Sequence, residues 1–104
     1  MIVRVWTGDA LEENAEEYRR QFKELYLPRF RAIAGYRGVQ VLERVHQNHI
    51  EFIVVSRWDS MDAIREYTGH IHADHAVLEK QTRDALVRYD EKAKHYVVVL
   101  EEDR

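Results

Sequence analysis

Cysteine is absent from these 104 residues, which excludes thiol nucleophiles, disulfides, iron–sulfur clusters and thiolate-bound zinc together. Any chemistry therefore falls to His, Tyr, Arg, Asp or Glu. Proline occurs once and glycine four times, too few for a flexible linker or a low-complexity segment. Long apolar runs are missing too: nothing approaches a signal h-region or a membrane span, so the chain is expected to be cytoplasmic with no membrane partner. Nor does one charge sign dominate. Sixteen Lys and Arg against 19 Asp and Glu leave a formal charge of -3, a poor match for nucleic acid.

What is present is a composition of 45% hydrophobic and 34% charged residues, typical of a folded domain. Residues 1–104 fit one domain and are too few for two independent cores. A chain of this size buries roughly two-thirds of its unfolded surface and stays marginally stable, so a partner subunit would help.

Residues 2–8 read as a strand ending at Thr7-Gly8-Asp9. Ala15, Tyr18, Phe22, Leu25 and Tyr26 then recur at helical spacing behind the acidic Glu12, Glu13, Glu16 and Glu17, with Pro28 expected to end or kink this helix near Leu27. Gly35-Tyr36-Arg37-Gly38 opens a strand over 39–45, and His46-Gln47-Asn48-His49 turns it into another over 50–58. There Phe52, Val54 and Trp58 alternate with Ile53 and Val55, so both faces are apolar and both should be covered. Ser60 is placed to cap a short helix carrying Ala63, Ile64 and Tyr67, with Gly69 as its stop. Leu78, Thr82, Ala85, Leu86 and Tyr89 repeat at helical spacing, and residues 95–100 read as a last strand.

The string is an α+β, ferredoxin-like β-α-β-β-α-β order with a four-stranded antiparallel sheet. Right-handed crossovers place both helical segments on one face. The bare apolar face predicts a homodimer, two sheets packed face to face as a dimeric α/β barrel.

Gly35-Tyr36-Arg37-Gly38-Val39, then Phe52-Ile53-Val54-Val55-Ser56-Arg57-Trp58-Asp59-Ser60 with Ala63 and Tyr67 following, resembles the antibiotic biosynthesis monooxygenase domain family. The resemblance implies a dimeric α/β barrel and, for characterised relatives, oxygenation of aromatic polyketides or quinols with no metal or flavin cofactor. In such chemistry a base removes a phenolic proton and the electron-rich anion passes an electron to oxygen. A related branch degrades haem with an Asn on strand one, a Trp near the end of the middle helix and a ligating His shortly after. His75 stands near that His position, but Tyr67 takes the approximate Trp position and strand one has no Asn.

Several residues are candidates for such a site. Trp58 ends a strand beside a helix cap, where its indole could wall a pocket or simply belong to the core. His70, His72 and His75 with Asp74 form the most unusual local cluster, able to supply a base or a metal ligand, or to divide into a hydrogen-bonded core His75 and solvated loop residues His70 and His72. If the last helix begins near Ile71, His75 joins its apolar stripe and becomes the first candidate for a catalytic base. Tyr67, Tyr89 and Tyr18 sit on inward helical faces, as hydroxyl donors or as plain core. Arg57, opposite Trp58 in the strand pattern, and Arg4 on strand one are candidate cations for an anionic substrate or partners of surface carboxylates. The leading expectation is a cofactor-independent monooxygenase acting on a small aromatic, polyketide or quinol substrate, with Trp58, Tyr67, Tyr89 and Arg57 binding it. The rivals are a non-catalytic ligand-binding or stress-response dimer, and a haem- or metal-binding protein using His75.

Overall fold

The computed structural model describes residues 1–69 and 71–104; His70 of the histidine cluster lies outside the described residues. Alternating β-branched and polar residues favour an extended chain, and β1 runs over Ile2–Leu11, straight through Thr7-Gly8-Asp9. It leads directly into α1 (Glu12–Gln21), a π-helical turn (Phe22–Tyr26) and α2 (Leu27–Arg31), one continuous helical segment. The end or kink expected near Leu27 is not an immediate stop: one further turn runs through Pro28 to Arg31. Proline lacks the N–H that an α-helix would bond four residues back, and it stands here in the first turn of α2, after a turn that has already left that ladder: the Leu27 N–H reaches the Phe22 carbonyl, five residues behind.

The hairpin of β2 (Tyr36–His46) and β3 (His49–Trp58) follows. Ser60 caps α3 (Met61–Thr68), its Oγ accepting the Ala63 N–H at 3.2 Å, and Gly69 ends that helix in the left-handed region at φ 67°.

Beyond Gly69 the chain departs from the helix that the spacing predicts. Residues 71–79 form an irregular strap, α4 covers only Lys80–Ala85, and Tyr89 belongs to β4 (Arg88–Tyr89), which precedes β5 (Lys94–Val97). The physical reason is competition for backbone groups. The carbonyls of Ala73 and His75 accept from the Arg4 guanidinium, the Ala76 N–H donates to the Glu91 carbonyl at 2.9 Å, and the Ala93 N–H donates to the Asp74 carbonyl at 2.6 Å. Groups so committed are lost to a helical ladder. Within α4 itself, Thr82 and Ala85 keep the predicted inward phase and are buried.

The sheet order is β2-β3-β1, with β4 and β5 both antiparallel to the outer edge of β1, so the two short strands act as one broken fourth strand in the ferredoxin-like order. Gly8 pairs with Tyr89 and Val5 with Lys94. Residues 90–93 therefore stand opposite only Trp6 and Thr7, and the surplus arches toward the strap, where His75 bridges Lys92.

Period two sorts the side chains. Arg4, Trp6 and Ala10 of β1, with Phe52, Val54, Ser56 and Trp58 of β3, are buried on the helix-covered face. The opposite face carries Val5 beside Val55, Thr7 beside Ile53 and Leu42 beside Ile53. One row of charges closes this apolar field: Arg88, Asp9, Glu51 and Arg44 are register neighbours across four strands, with Arg88 to Asp9 at 3.3 Å and Arg44 to Glu51 at 3.1 Å.

Gly8 is required by a close approach. A Cβ there would lie 2.5 Å from the Trp6 ring, because residues two apart on a strand share a face. Gly8→Ala is expected to lower stability by roughly 1–3 kcal/mol, the cost of overpacking, and to shift tryptophan emission. Urea denaturation followed by fluorescence tests this; unchanged stability and spectrum would show that the ring has another place to go.

Candidate functional site

The space between the helix-facing side of the sheet and the long helical segment is walled by aromatic rings. Tyr18, Phe22, Tyr26 and Phe30 all line it, four residues apart along one helical segment. At 3.6 residues per turn such a series drifts by about 40° per step. The π turn at Phe22–Tyr26 takes more residues per revolution and brings the row back into line. From the sheet, Trp6 stacks on Tyr18 with centroids 6.2 Å apart and planes 22° apart. Tyr67 of α3 closes one side against Phe30 at 4.7 Å, and Ala76, Val77 and Leu78 of the strap form the outer wall. The free volume is about 40 Å³, room for a few waters and too little for an aromatic ring while the strap is closed.

Among the described residues one charged side chain faces this apolar space. Arg4 lines the cavity and is only 5% exposed. Its Nη1 donates to the Ala73 carbonyl and to His95 Nε2 at 2.8 Å, and its Nη2 donates to the His75 carbonyl at 2.6 Å. Among the described residues no carboxylate forms a salt bridge with it. Burial lowers the Arg4 pKa, with Tyr67 and Asp74 opposing that shift; a guanidinium stays charged regardless. Because it can only donate, His95 Nε2 must accept, which fixes a neutral imidazole. Burial first, and Arg4 second, hold the His95 pKa below its ordinary 6.5.

Burial pushes the hydroxyls of Tyr18 and Tyr67 far up, so both remain protonated, and neither has a hydrogen-bond partner among the described residues. They are donors available to a ligand. Tyr26 is committed elsewhere: its hydroxyl accepts the Glu79 N–H at 2.9 Å and donates to Thr82 Oγ1 at 2.7 Å, which donates to Gln21 Oε1 at 2.5 Å. This buried chain pins α4 and the end of the strap to the long helix.

The residues singled out from sequence divide between several places. Tyr67 and Tyr18 line the cavity. Trp58 is fully buried behind it, against Phe30, Tyr36 and Tyr67, and its indole N–H is taken by Ser56 Oγ at 2.8 Å. His75 and Tyr89, expected on one inward helical stripe, instead border a shallow outer depression of about 300 Å³ together with Arg83, Glu91 and Lys92. Ala76 and Leu78 border both spaces, so the strap is the partition between them. Arg57 lies on the opposite sheet face, across Gly38, with Nη2 at 3.4 Å from the Arg37 carbonyl. The His72 and His75 rings stand 5.2 Å apart, and no metal-binding group of three ligands occurs among the described residues. Sequence reasoning passed over Trp6, Phe30 and Ser56. The inward series Arg4-x-Trp6-x-Gly8, with a glycine where the ring must lie, was the available signal for Trp6.

A family model described as antibiotic biosynthesis monooxygenase matches residues 1–78. The chain belongs to that family. Every cavity-lining residue, from Arg4 to Leu78, falls inside the matched span. Among solved structures, a Bacillus cereus protein of the antibiotic biosynthesis monooxygenase type is 19% identical with a TM-score of 0.71, covering 100% of this chain and 96% of that one. A dimeric ferredoxin-like protein from an uncultured marine organism is 17% identical with a TM-score of 0.66, covering 100% of both chains. The heme-degrader MhuD of Mycobacterium tuberculosis, solved with two hemes in its active site, is 21% identical with a TM-score of 0.58, covering 99% and 100%. At these identities the likeness is one of fold. No curated protein matches the chain in sequence. In this member of the antibiotic biosynthesis monooxygenase family the His75 imidazole borders the outer depression, and the Trp6 indole occupies strand one's central inward position.

Two tests follow from this geometry. His95 has a folded pKa below its unfolded value, so the unfolded chain binds the proton more readily as pH falls below 6.5. This contribution to stability is complete above 6.5 and is lost as pH drops toward the folded pKa; His95→Gln, which keeps an acceptor without a titration, should flatten the slope of urea-derived stability in that window. Thr82→Val should cost about 1–3 kcal/mol, because it removes the acceptor of the Tyr26 hydroxyl proton and the donor to Gln21 Oε1 in a buried place. A loss of under a few tenths would show that the chain of hydroxyls is not holding α4.

Proposed function

We propose that this chain oxygenates a small aromatic or quinol substrate inside the aromatic cavity, without metal or flavin, and that it works as a homodimer. The observation that carries the reading is the cavity itself: aromatic walls, two protonated tyrosine hydroxyls and a guanidinium, all within the span that matches the monooxygenase family. Aromatic faces suit a planar ring, and donors in a water-poor space stabilise oxygen-centred charge far better than they would in solvent. For an anthrone-type substrate the methylene carbon becomes a carbonyl, one O2 is consumed, and its second oxygen leaves as water. His75 is the base in this scheme. It adjoins the cavity-lining Ala76 on the strap, and displacement of the strap by an entering ring would bring it to the substrate.

A second reading keeps the cavity and drops the chemistry. No imidazole or carboxylate lines the closed cavity among the described residues, which favours a ligand-binding dimer. Oxygen uptake by metal-free protein with a panel of hydroquinones and hydroxylated anthrones separates the two. Turnover above a denatured control, reduced at least tenfold in His75→Ala, supports oxygenation with that base; binding without uptake across the panel supports the second reading.

The dimer would form through the open sheet face, whose centre of Val5, Val55, Ile53 and Leu42 is apolar and whose end carries the Arg88-Asp9-Glu51-Arg44 row. Ile53→Lys places a charge at that centre and should convert a dimer to a monomer in sedimentation equilibrium at micromolar concentration. A wild-type chain that sediments as a monomer would remove the face-to-face interface.

A further inference from the structure

Among the described residues Arg4 is the one cation buried against the cavity, and the hydrogen bonds it makes do not exhaust it. A guanidinium has five N–H donors. Ala73, His75 and His95 take three of them, so two remain without partners among the described residues. All three partners are neutral: two are carbonyls, and the third is an imidazole that must be uncharged to accept. Eleven ion pairs occur among the described residues and none includes Arg4. The arrangement differs from that of a structural arginine, which ordinarily meets a carboxylate when buried.

The setting is also built to amplify a charge. Around Arg4 the cavity presents the rings of Trp6 and Tyr67 and the methyl groups of Val54, a surrounding in which an ion pair is screened far less than in water. The Arg4 Cζ lies 6.0 Å from the Tyr67 ring centroid, so the tyrosine that offers a hydroxyl stands beside the unpaired charge.

We infer that Arg4 makes the cavity selective for an aromatic ligand bearing an anionic oxygen, a phenolate, enolate or carboxylate, which completes the guanidinium's unfilled donors. This rests on the proposal that the cavity takes an aromatic ligand. It adds that charge, beyond ring shape, decides which ligand is held, and that one side chain holds both the ligand and the strap that covers it. A neutral isostere would fill the same space and give the unfilled donors no charged acceptor.

The test uses matched probes on the whole chain. Wild type is expected to bind 2-naphthoate at least tenfold more tightly than 2-naphthamide by calorimetry. It should also hold 4-nitrophenol as the phenolate, visible from its absorption band, at a pH where the free phenol is mostly protonated. Arg4→Lys should keep part of the preference and Arg4→Met should erase it. Were Arg4 only a latch for the strap, Arg4→Met would speed hydrogen exchange across residues 71–79, yet wild type would bind the two naphthyl compounds alike. Equal binding of that pair by wild type, or a preference that survives in Arg4→Met, overturns the inference and leaves the aromatic cavity standing. Binding of neither probe removes the proposed function and the inference together. If Arg4→Met does not fold, the wild-type pair, the phenolate band and Arg4→Lys still decide.

Discussion

Because β1 is hydrogen-bonded along both edges, to β3 on one side and to β4 and β5 on the other, its side chains cannot change faces without breaking two ladders at once. Four of the residues it turns toward the helices each impose a separate piece of structure. Arg4 draws in the carbonyls of the strap; Trp6 stacks on Tyr18 and donates to the Asp90 carbonyl at 2.8 Å; Gly8 leaves the hollow in which the Trp6 ring lies; Ala10, fully buried, lets the chain turn closely into α1. The cavity, the strap and the arch in the fourth strand are consequences of one fixed pleat.

That dependence explains which parts of the molecule were legible in its sequence. β3 could be read on both faces, since Phe52, Val54 and Trp58 alternate with Ile53 and Val55 and the structure separates them accordingly. Ser60 and Gly69 bound α3 through local chemistry, a side-chain acceptor and a left-handed backbone, and local chemistry is what a sequence displays. The hairpin and the order of elements followed for the same reason. The segment after Gly69 was illegible because its conformation is decided by groups far away in the chain. Leu78, Thr82, Leu86 and Tyr89 do repeat at helical spacing, but a repeat cannot show that Arg4 will claim the carbonyls of Ala73 and His75. His75 moved from an imagined inward stripe to an outer depression through such distant contacts, the bridge to Lys92 among them.

The site was legible in its chemistry more than in its membership. Tyr67 and Tyr18 were placed on inward faces by phase, and Arg4 was one of two candidate cations beside Arg57, whereas Trp58 turned out to stand behind the wall with its N–H already bonded to Ser56. The aromatic row from Tyr18 to Phe30 stays aligned only because the helix widens at Phe22–Tyr26. Strict α-helical phase assigns Phe30 a different direction, and the proline that accompanies the widening reads, without the structure, as a terminator.

The pairing of β1 with both near and distant strands also bears on how the chain is assembled during synthesis. Antiparallel contact with β3 becomes available once the hairpin has left the ribosome, but the partner of Arg4 on the other edge, His95, follows 91 residues later. Until then one edge of the central strand is open to intermolecular pairing, the circumstance in which nascent β-sheets aggregate, and contacts this distant in sequence are made slowly.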